Sequence, residues 1–264
     1  ESVIIPAGGR TTLCVSSQVG CRMACRFCET GRMGFRRNLT ADEIAWQVHA
    51  ARFVLSRRID NVVFMGMGEP LDNLAEVIQA IRVISDQRGF DIACRHITVS
   101  TAGHIDGILA LIAAGLPNLR LAVSLNAADD KQRTQLMPIN RTYPLSRLKA
   151  ALLDAARVTR GDLFIEYVLL AGVNDTREDA VRMARYLDGL AVRINIIAYN
   201  RGSAAAYTAP TRAQVLRFAR WLTDEKLFVR IRPSRGQGIM AACGQLGICA
   251  DGHATPRAPV LPGK

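Results

Sequence analysis

Acidic residues, lysine, aromatics and long apolar runs are all scarce in this chain of 264 residues, and each shortage excludes something. Asp and Glu number 23 against 34 Lys and Arg, leaving a formal net charge of +11. An anionic partner is expected, nucleic acid first. Only 4 of the basic residues are Lys; arginine suits bidentate phosphate contacts, although genomic composition alone produces the same skew. The longest apolar stretch, Gly107 to Pro117, is too short for a membrane span and closes on a proline. No basic-then-apolar export segment opens the chain, so a cytoplasmic, membrane-free protein is expected. No G-x-G-x-x-G opens a helical pattern, which removes the main argument for a dinucleotide-binding sheet. His49, His96, His104 and His253 form no close pair at metal-ligand spacing. Apolar residues still make up 49%, which excludes wholesale disorder.

A fourth clustered cysteine is also missing. The seven cysteines are odd in number, against a disulfide framework. Three of them, Cys21, Cys25 and Cys28, form C-x3-C-x2-C. Structural zinc takes four ligands from paired knuckles, which this spacing does not supply. Three thiolates on one tight loop can hold three irons of a [4Fe–4S] cluster, leaving the fourth iron open to a small molecule. The aromatic Phe27 before the last cysteine suits a ring packed on such a cluster. This motif resembles that of the radical S-adenosylmethionine (SAM) superfamily. There the open iron chelates the SAM amino and carboxylate groups, and reduction releases a 5′-deoxyadenosyl radical.

Strand-like runs at 12–16, 61–67, 97–101, 120–125, 164–170, 192–199 and 228–232 alternate with helical patterns at 41–55, 74–87, 145–158, 177–187 and 212–223. Thr40 with Glu43 reads as a capping box, and Pro144 precedes a helix start. The alternation predicts an α/β fold: a partial or closed (β/α) barrel of parallel strands buried on both faces. Chemistry in such a barrel sits at the C-terminal strand ends. The cysteine loop, Gly66-Met-Gly68-Glu69-Pro70, Ser100-Thr101, Ser124-Leu125-Asn126 and Asn200 all fall there. Gly, Ser and Asn are ordinary loop residues one at a time, but together they point to one cavity.

Longer segments are similar to the RlmN/Cfr family of RNA adenosine methyltransferases. They are Leu13-Cys14-Val-Ser-Ser-Gln-Val-Gly-Cys21, Phe64-Met-Gly-Met-Gly-Glu-Pro-Leu71, Leu136-Met-Pro-Ile-Asn-Arg141, Ile165-Glu-Tyr-Val-Leu-Leu-Ala-Gly-Val-Asn-Asp175 and Ala241-Ala-Cys-Gly-Gln-Leu246. The resemblance implies a radical SAM barrel that methylates an adenosine ring carbon, C2 or C8. The expected substrate is ribosomal RNA, with transfer RNA a second one. It implies cluster ligation by Cys21, Cys25 and Cys28, and SAM contacts from Gly68, Glu69, Ser100, Ser124, Leu125, Asn126 and Asn200. A carboxylate such as Glu69 suits the SAM ammonium, and glycine lets the backbone approach. Asn126 stands where the family commonly has His, and Gln237-Gly238 where it often has an acidic pair.

By the family's scheme Cys243 is S-methylated by one SAM, and a second SAM yields the radical that activates this methyl group for addition to the base. A base, with Glu1 matching the family's acidic residue, removes the ring proton. Cys14 then attacks Cys243 to release product, leaving a disulfide. Cys94 and Cys249 match nothing in the scheme. The implied partners are RNA and an electron donor such as flavodoxin or ferredoxin, for a monomer. The implied organisation is one catalytic domain over 1–264 without the family's N-terminal RNA-gripping domain. Its Gly-rich tail, from about 233, carries Cys243. Arg22, Arg26, Arg32, Arg36, Arg37, Arg230, Arg232 and Arg235 cluster beside the site in sequence, where they could steer a phosphate backbone. Two other readings stay open: the same radical chemistry on a peptide or small molecule, and a non-catalytic iron–sulfur carrier or regulatory module.

Overall fold

The structure, a computed structural model, describes residues 1–159, 163–201, 206–233 and 242–247. Strand β1 (Val3–Ala7) pairs antiparallel with β2 (Arg10–Cys14). A small hairpin of β3 (Gln18–Gly20) and β4 (Phe35–Asn38) then brackets the cysteine loop and the short helix α1 (Glu29–Met33). Six further strands follow: β5 (Asn61–Phe64), β6 (Ile97–Thr101), β7 (Arg120–Ser124), β8 (Leu163–Leu169), β9 (Arg193–Ala198) and β10 (Val229–Arg232). Between them lie α2 (Ala41–His49), α3 (Leu74–Ser85), α4 (Ile105–Ala113), α5 (Asp130–Leu136), α6 (Leu145–Thr159), α7 (Arg177–Leu187) and α8 (Arg212–Asp224).

The main sheet runs β1-β2-β5-β6-β7-β8-β9-β10, parallel from β2 onward. Each new strand therefore adds beside its predecessor in the chain. With right-handed crossovers this keeps every helix on one face, and the sheet curls into a half-barrel. Of the two expected forms, the open one is found: β1 and β10 end the order unpaired with each other.

The strands are not apolar on both faces, and here the structure corrects the sequence reading. Leu13, Val99, Leu121, Val123, Ile165, Tyr167, Ile194 and Ile196 pack into the core against the helices. Their alternates, Thr98, Ser100, Ser124, Glu166 and Asn195, face the hollow of the half-barrel by the two-residue strand period. A closed barrel packs its interior; this open one leaves a hollow in which Ser100, Ser124 and Glu166 stand among apolar residues such as Phe64, Val168 and Ile197.

The helix expected over 41–55 is α-helical to His49 and continues through a π-turn, Ala50–Val54. The capping box at Thr40 is present, and the apolar run from Gly107 lies largely in α4. No helix among the described residues is long and apolar enough to cross a membrane.

Candidate active site

One cavity at the C-terminal strand ends is lined by Cys21, Cys25 and Cys28 on one wall and by Glu166, Tyr199 and Cys243 on another. The cysteine loop is fixed by backbone contacts from outside it. Cys21 N–H donates to Gly34 O (3.0 Å), Arg26 N–H to Leu136 O (3.0 Å) and Glu29 N–H to Gly244 O (2.8 Å). Burial pushes the Cys21 thiol up to about 12, the Cys25 thiol well above its ordinary value, and the Cys28 thiol up as well. Among the described residues no three His, Cys, Asp or Glu converge on a single metal ion. Three buried thiols from one short loop, all lining one cavity, suit a cluster in which each thiolate takes its own iron. A mononuclear zinc site does not fit. Bound iron would draw off the thiol protons that burial retains.

Gly68 and Glu69 sit opposite that loop on the turn after β5. Gly68 has φ +100°, and a Cβ there would lie 2.6 Å from Gln18 Cβ, so no other residue fits. The close approach is thus to Gln18 of the same chain. Glu69 is 2% exposed. Its Oε2 accepts from Ala102 N–H (2.7 Å) and its Oε1 from Leu71 N–H (3.1 Å). Burial outweighs these donors and raises its pKa to about 7. A ligand ammonium beside it would restore the carboxylate.

Gln18 is a residue the sequence reading missed. Its Oε1 accepts from Glu69 N–H (2.8 Å), and its Nε2 donates to Asn38 Oδ1 (2.9 Å). Ser16 Oγ accepts from Met67 N–H (2.9 Å), so the stretch after β2 straps the glycine turn in place. A polar side chain in a family motif was the signal available; its partner, some fifty residues on, was not.

Ser100 and Ser124 line the cavity. Leu125 does not: the residue directly after β7, it packs into the core. Its backbone is committed too, its N–H donating to Glu166 O (3.0 Å) and its carbonyl accepting from Arg133 Nε (3.1 Å). Asn126 lines the cavity but takes φ +56°, a left-handed conformation that Asn tolerates. Its Oδ1 accepts from Val168 N–H (2.7 Å), and its Nδ2 donates to Met137 Sδ (3.1 Å). Asn200 Nδ2 donates to Cys243 O (3.3 Å), anchoring the tail segment.

Cys243 is exposed by accessible surface while protein crowds it closely enough to raise its thiol pKa, through burial first and the Glu166 charge second. Both observations agree if its open side is the cavity it lines. Cys14 ends β2, 7% exposed. Burial, then the neighbouring Cys243 charge, lifts it to about 12. Cys14 is not among the cavity-lining residues, but it lies near enough to Cys243 to feel its charge, and both are free thiols. The disulfide that the resemblance implies is not found in this structure.

Glu1 is exposed and outside the cavity lining; its carbonyl accepts from Ser16 Oγ. Glu166 was not singled out in sequence. It is 6% exposed, its Oε1 accepts from Asn195 Nδ2 (2.7 Å), and burial raises its pKa. Among the basic residues, Arg22 pairs with Asp72 (3.0 Å), Arg32 with Glu29 (3.4 Å) and Arg37 with Glu43 (2.7 Å). Arg235, Gln237, Gly238, Ala241, Cys249 and His253 lie outside the described residues.

Residues 15–185 match the Radical SAM superfamily. Over 247 residues the chain is 45% identical to the probable dual-specificity RNA methyltransferase RlmN 1 of Protochlamydia amoebophila, covering 94% of this chain and 69% of that one. The dual-specificity RNA methyltransferase RlmN of Geobacter sulfurreducens is 48% identical over 250 residues, covering 93% and 67%. The crystal structure of a radical SAM methyltransferase from Sphaerobacter thermophilus superposes with a TM-score of 0.89 at 41% identity, covering 92% of this chain and 72% of that one. Streptococcus suis SuiB, solved bound to SAM, shares the fold at a TM-score of 0.60 and 15% identity.

Proposed function

The chain belongs to the radical SAM superfamily and, within it, to the RlmN-type RNA methyltransferases, and from that premise we propose that it methylates C2, rather than C8, of an adenosine in ribosomal RNA through S-methyl-Cys243. Transfer RNA is the second substrate, in accord with the dual specificity in its relatives' names. The observation that carries this reading is Cys243, a thiol from the far end of the chain, on the same cavity as Cys21, Cys25 and Cys28.

A cluster on those three cysteines, with SAM, would supply the electron for homolytic SAM cleavage and the methyl group. Glu69 would hold the SAM ammonium, its two oxygens already oriented by Ala102 and Leu71. The Cys243 thiolate would attack the SAM methyl carbon, forming a sulfur–carbon bond as S-adenosylhomocysteine leaves, and keep the methyl as a thioether. Once that carbon has lost a hydrogen atom to the SAM-derived radical and bonded to the adenine ring, and the ring proton has been removed with return of one electron, the Cys14 thiolate attacks the Cys243 sulfur. The sulfur–sulfur bond forms as the sulfur–carbon bond breaks. The bonding pair leaves with the carbon, which takes a proton to become the product methyl, and an external reductant restores both thiols. Glu1, exposed and outside the cavity lining, would need to move inward to act as the base. We assign a cytoplasmic monomer served by a flavodoxin or ferredoxin.

The test is to incubate reduced, cluster-loaded protein with SAM and protein-free ribosomal RNA, then to map methylated adenosines by mass spectrometry. One C2-methyladenosine and one extra methyl on the Cys243 peptide are expected. Methylation of a peptide and never of RNA would replace this reading.

A further inference from the structure

Arg133 is fully buried, although its helix α5, with Asp130, Lys131 and Gln132 ahead of it, reads as a polar surface helix. Each of its hydrogen bonds goes to a neutral acceptor. Nε donates to Leu125 O (3.1 Å), Nη1 to Asn140 Oδ1 (2.9 Å), and Nη2 to Ala102 O (2.7 Å) and Ser124 O (3.2 Å). Asp130 reaches it only through Asn140, whose Nδ2 donates to Asp130 Oδ1 (2.8 Å). A buried charge lacking a direct ionic partner is expensive, and an apolar side chain of similar volume would pack at lower cost. The acceptors show what the guanidinium does there. Three are main-chain carbonyls just at or beyond the ends of β6 and β7, the two strand ends nearest the proposed SAM contacts. One of them, Ala102, also gives its N–H to Glu69. Gly103, at φ +103°, turns so tightly over the guanidinium that a Cβ would lie 3.0 Å from Nη2. Only a planar fork with several fixed donors can span these carbonyls at once; an ammonium cannot.

We propose that Arg133 is the positioning residue of the SAM site: it locks the ends of β6 and β7 at the separation at which Glu69, Ser100 and Ser124 face one ligand. The proposal rests on the SAM-site reading above. Arg133 itself does not line the cavity. It acts through Ala102 and Ser124.

Full-length, cluster-loaded Arg133→Lys and Arg133→Met are compared with wild type. SAM affinity is read by equilibrium dialysis and RNA affinity by filter binding, alongside iron per chain and thermal stability. Both variants should weaken SAM binding about tenfold or more while RNA affinity and iron content hold. Lys should not rescue, because it keeps the charge and loses the fork. The ratio of SAM cleaved to RNA methylated should rise as the cofactor sits loosely. Asn140→Ser, which frees Nη1 but no other guanidinium donor and also removes the Asn140 bonds to Asp130 and Thr134, carries the test if neither variant folds, with SAM affinity expected to fall several-fold. Unchanged SAM affinity in a folded variant overturns the proposal. Parallel loss of SAM, RNA and iron with falling stability does too, by marking Arg133 as a general pillar. A wild type that binds no SAM in the same cells fails the SAM-site reading instead, so the two failures are separable.

Discussion

Burial holds the proton on both Glu69 and Cys14. Glu69 holds its proton up to about pH 7 in the fold, against 4.5 ordinarily. The folded chain thus binds more protons than the unfolded one between those values, and stability falls as pH rises through 7. The loss is about 3 kcal/mol once the carboxyl is fully ionised. Urea unfolding without SAM should show this decline for wild type and lack it for Glu69→Gln, which should also bind SAM weakly at best. Equal pH slopes would remove Glu69 as the buried acid. For Cys14, burial first and the Cys243 charge second keep the thiol neutral, so attack on a sulfur requires that it first give up its proton. Cys14→Ala should still methylate Cys243 and cleave SAM, but stall as a protein–RNA adduct. Denaturing gels should show an RNase-sensitive band that Cys14→Ala/Cys243→Ala lacks; normal turnover without adduct makes Cys14 structural.

The turn after β5 depends on a neighbouring segment more than on its own glycines. Gln18, from β3, receives the Glu69 N–H and is backed by Asn38 of β4. Gln18→Leu leaves that buried N–H without an acceptor, at a cost of about 1–3 kcal/mol. Unfolding measurements should show that loss, with SAM affinity falling while iron content is retained. If Gln18→Leu binds SAM as well as wild type, the strap does not set the Glu69 position. The end of β7 makes a parallel point: Ser124, its last residue, lines the cavity, and Leu125, the next, packs in the core. A motif read as a string assigns both to the ligand; a strand presents one.

Across the fold, charge surrounds the cavity mouth unevenly. Arg22, Arg32 and Arg37 already have carboxylate partners. The exposed Arg36 on β4 and Arg232 on β10 are therefore the better phosphate contacts. RNA affinity should fall steeply with salt, and Arg36→Ala/Arg232→Ala should weaken binding and flatten the slope by up to about two phosphate contacts. An unchanged slope in the double variant would move RNA docking to another face.

Cysteine spacing, the glycine–glutamate turn and the order of strands and helices were legible along the chain, because each is local: spacing fixes a loop, and periodicity fixes an element. They implied the cluster ligands, the barrel class and the rim that carries the site. What the linear order could not contain was which side of each strand a residue takes once the sheet curls, and which distant side chains meet. Alternation at the end of β7 put Ser124 in the cavity lining and Leu125 in the core. The fold also brought Cys14 near Cys243 from opposite ends of the chain. Arg133 was opaque for the same reason. Its helix reads as surface, and only the packing of α5 against two strand ends surrounds its charge with carbonyl acceptors.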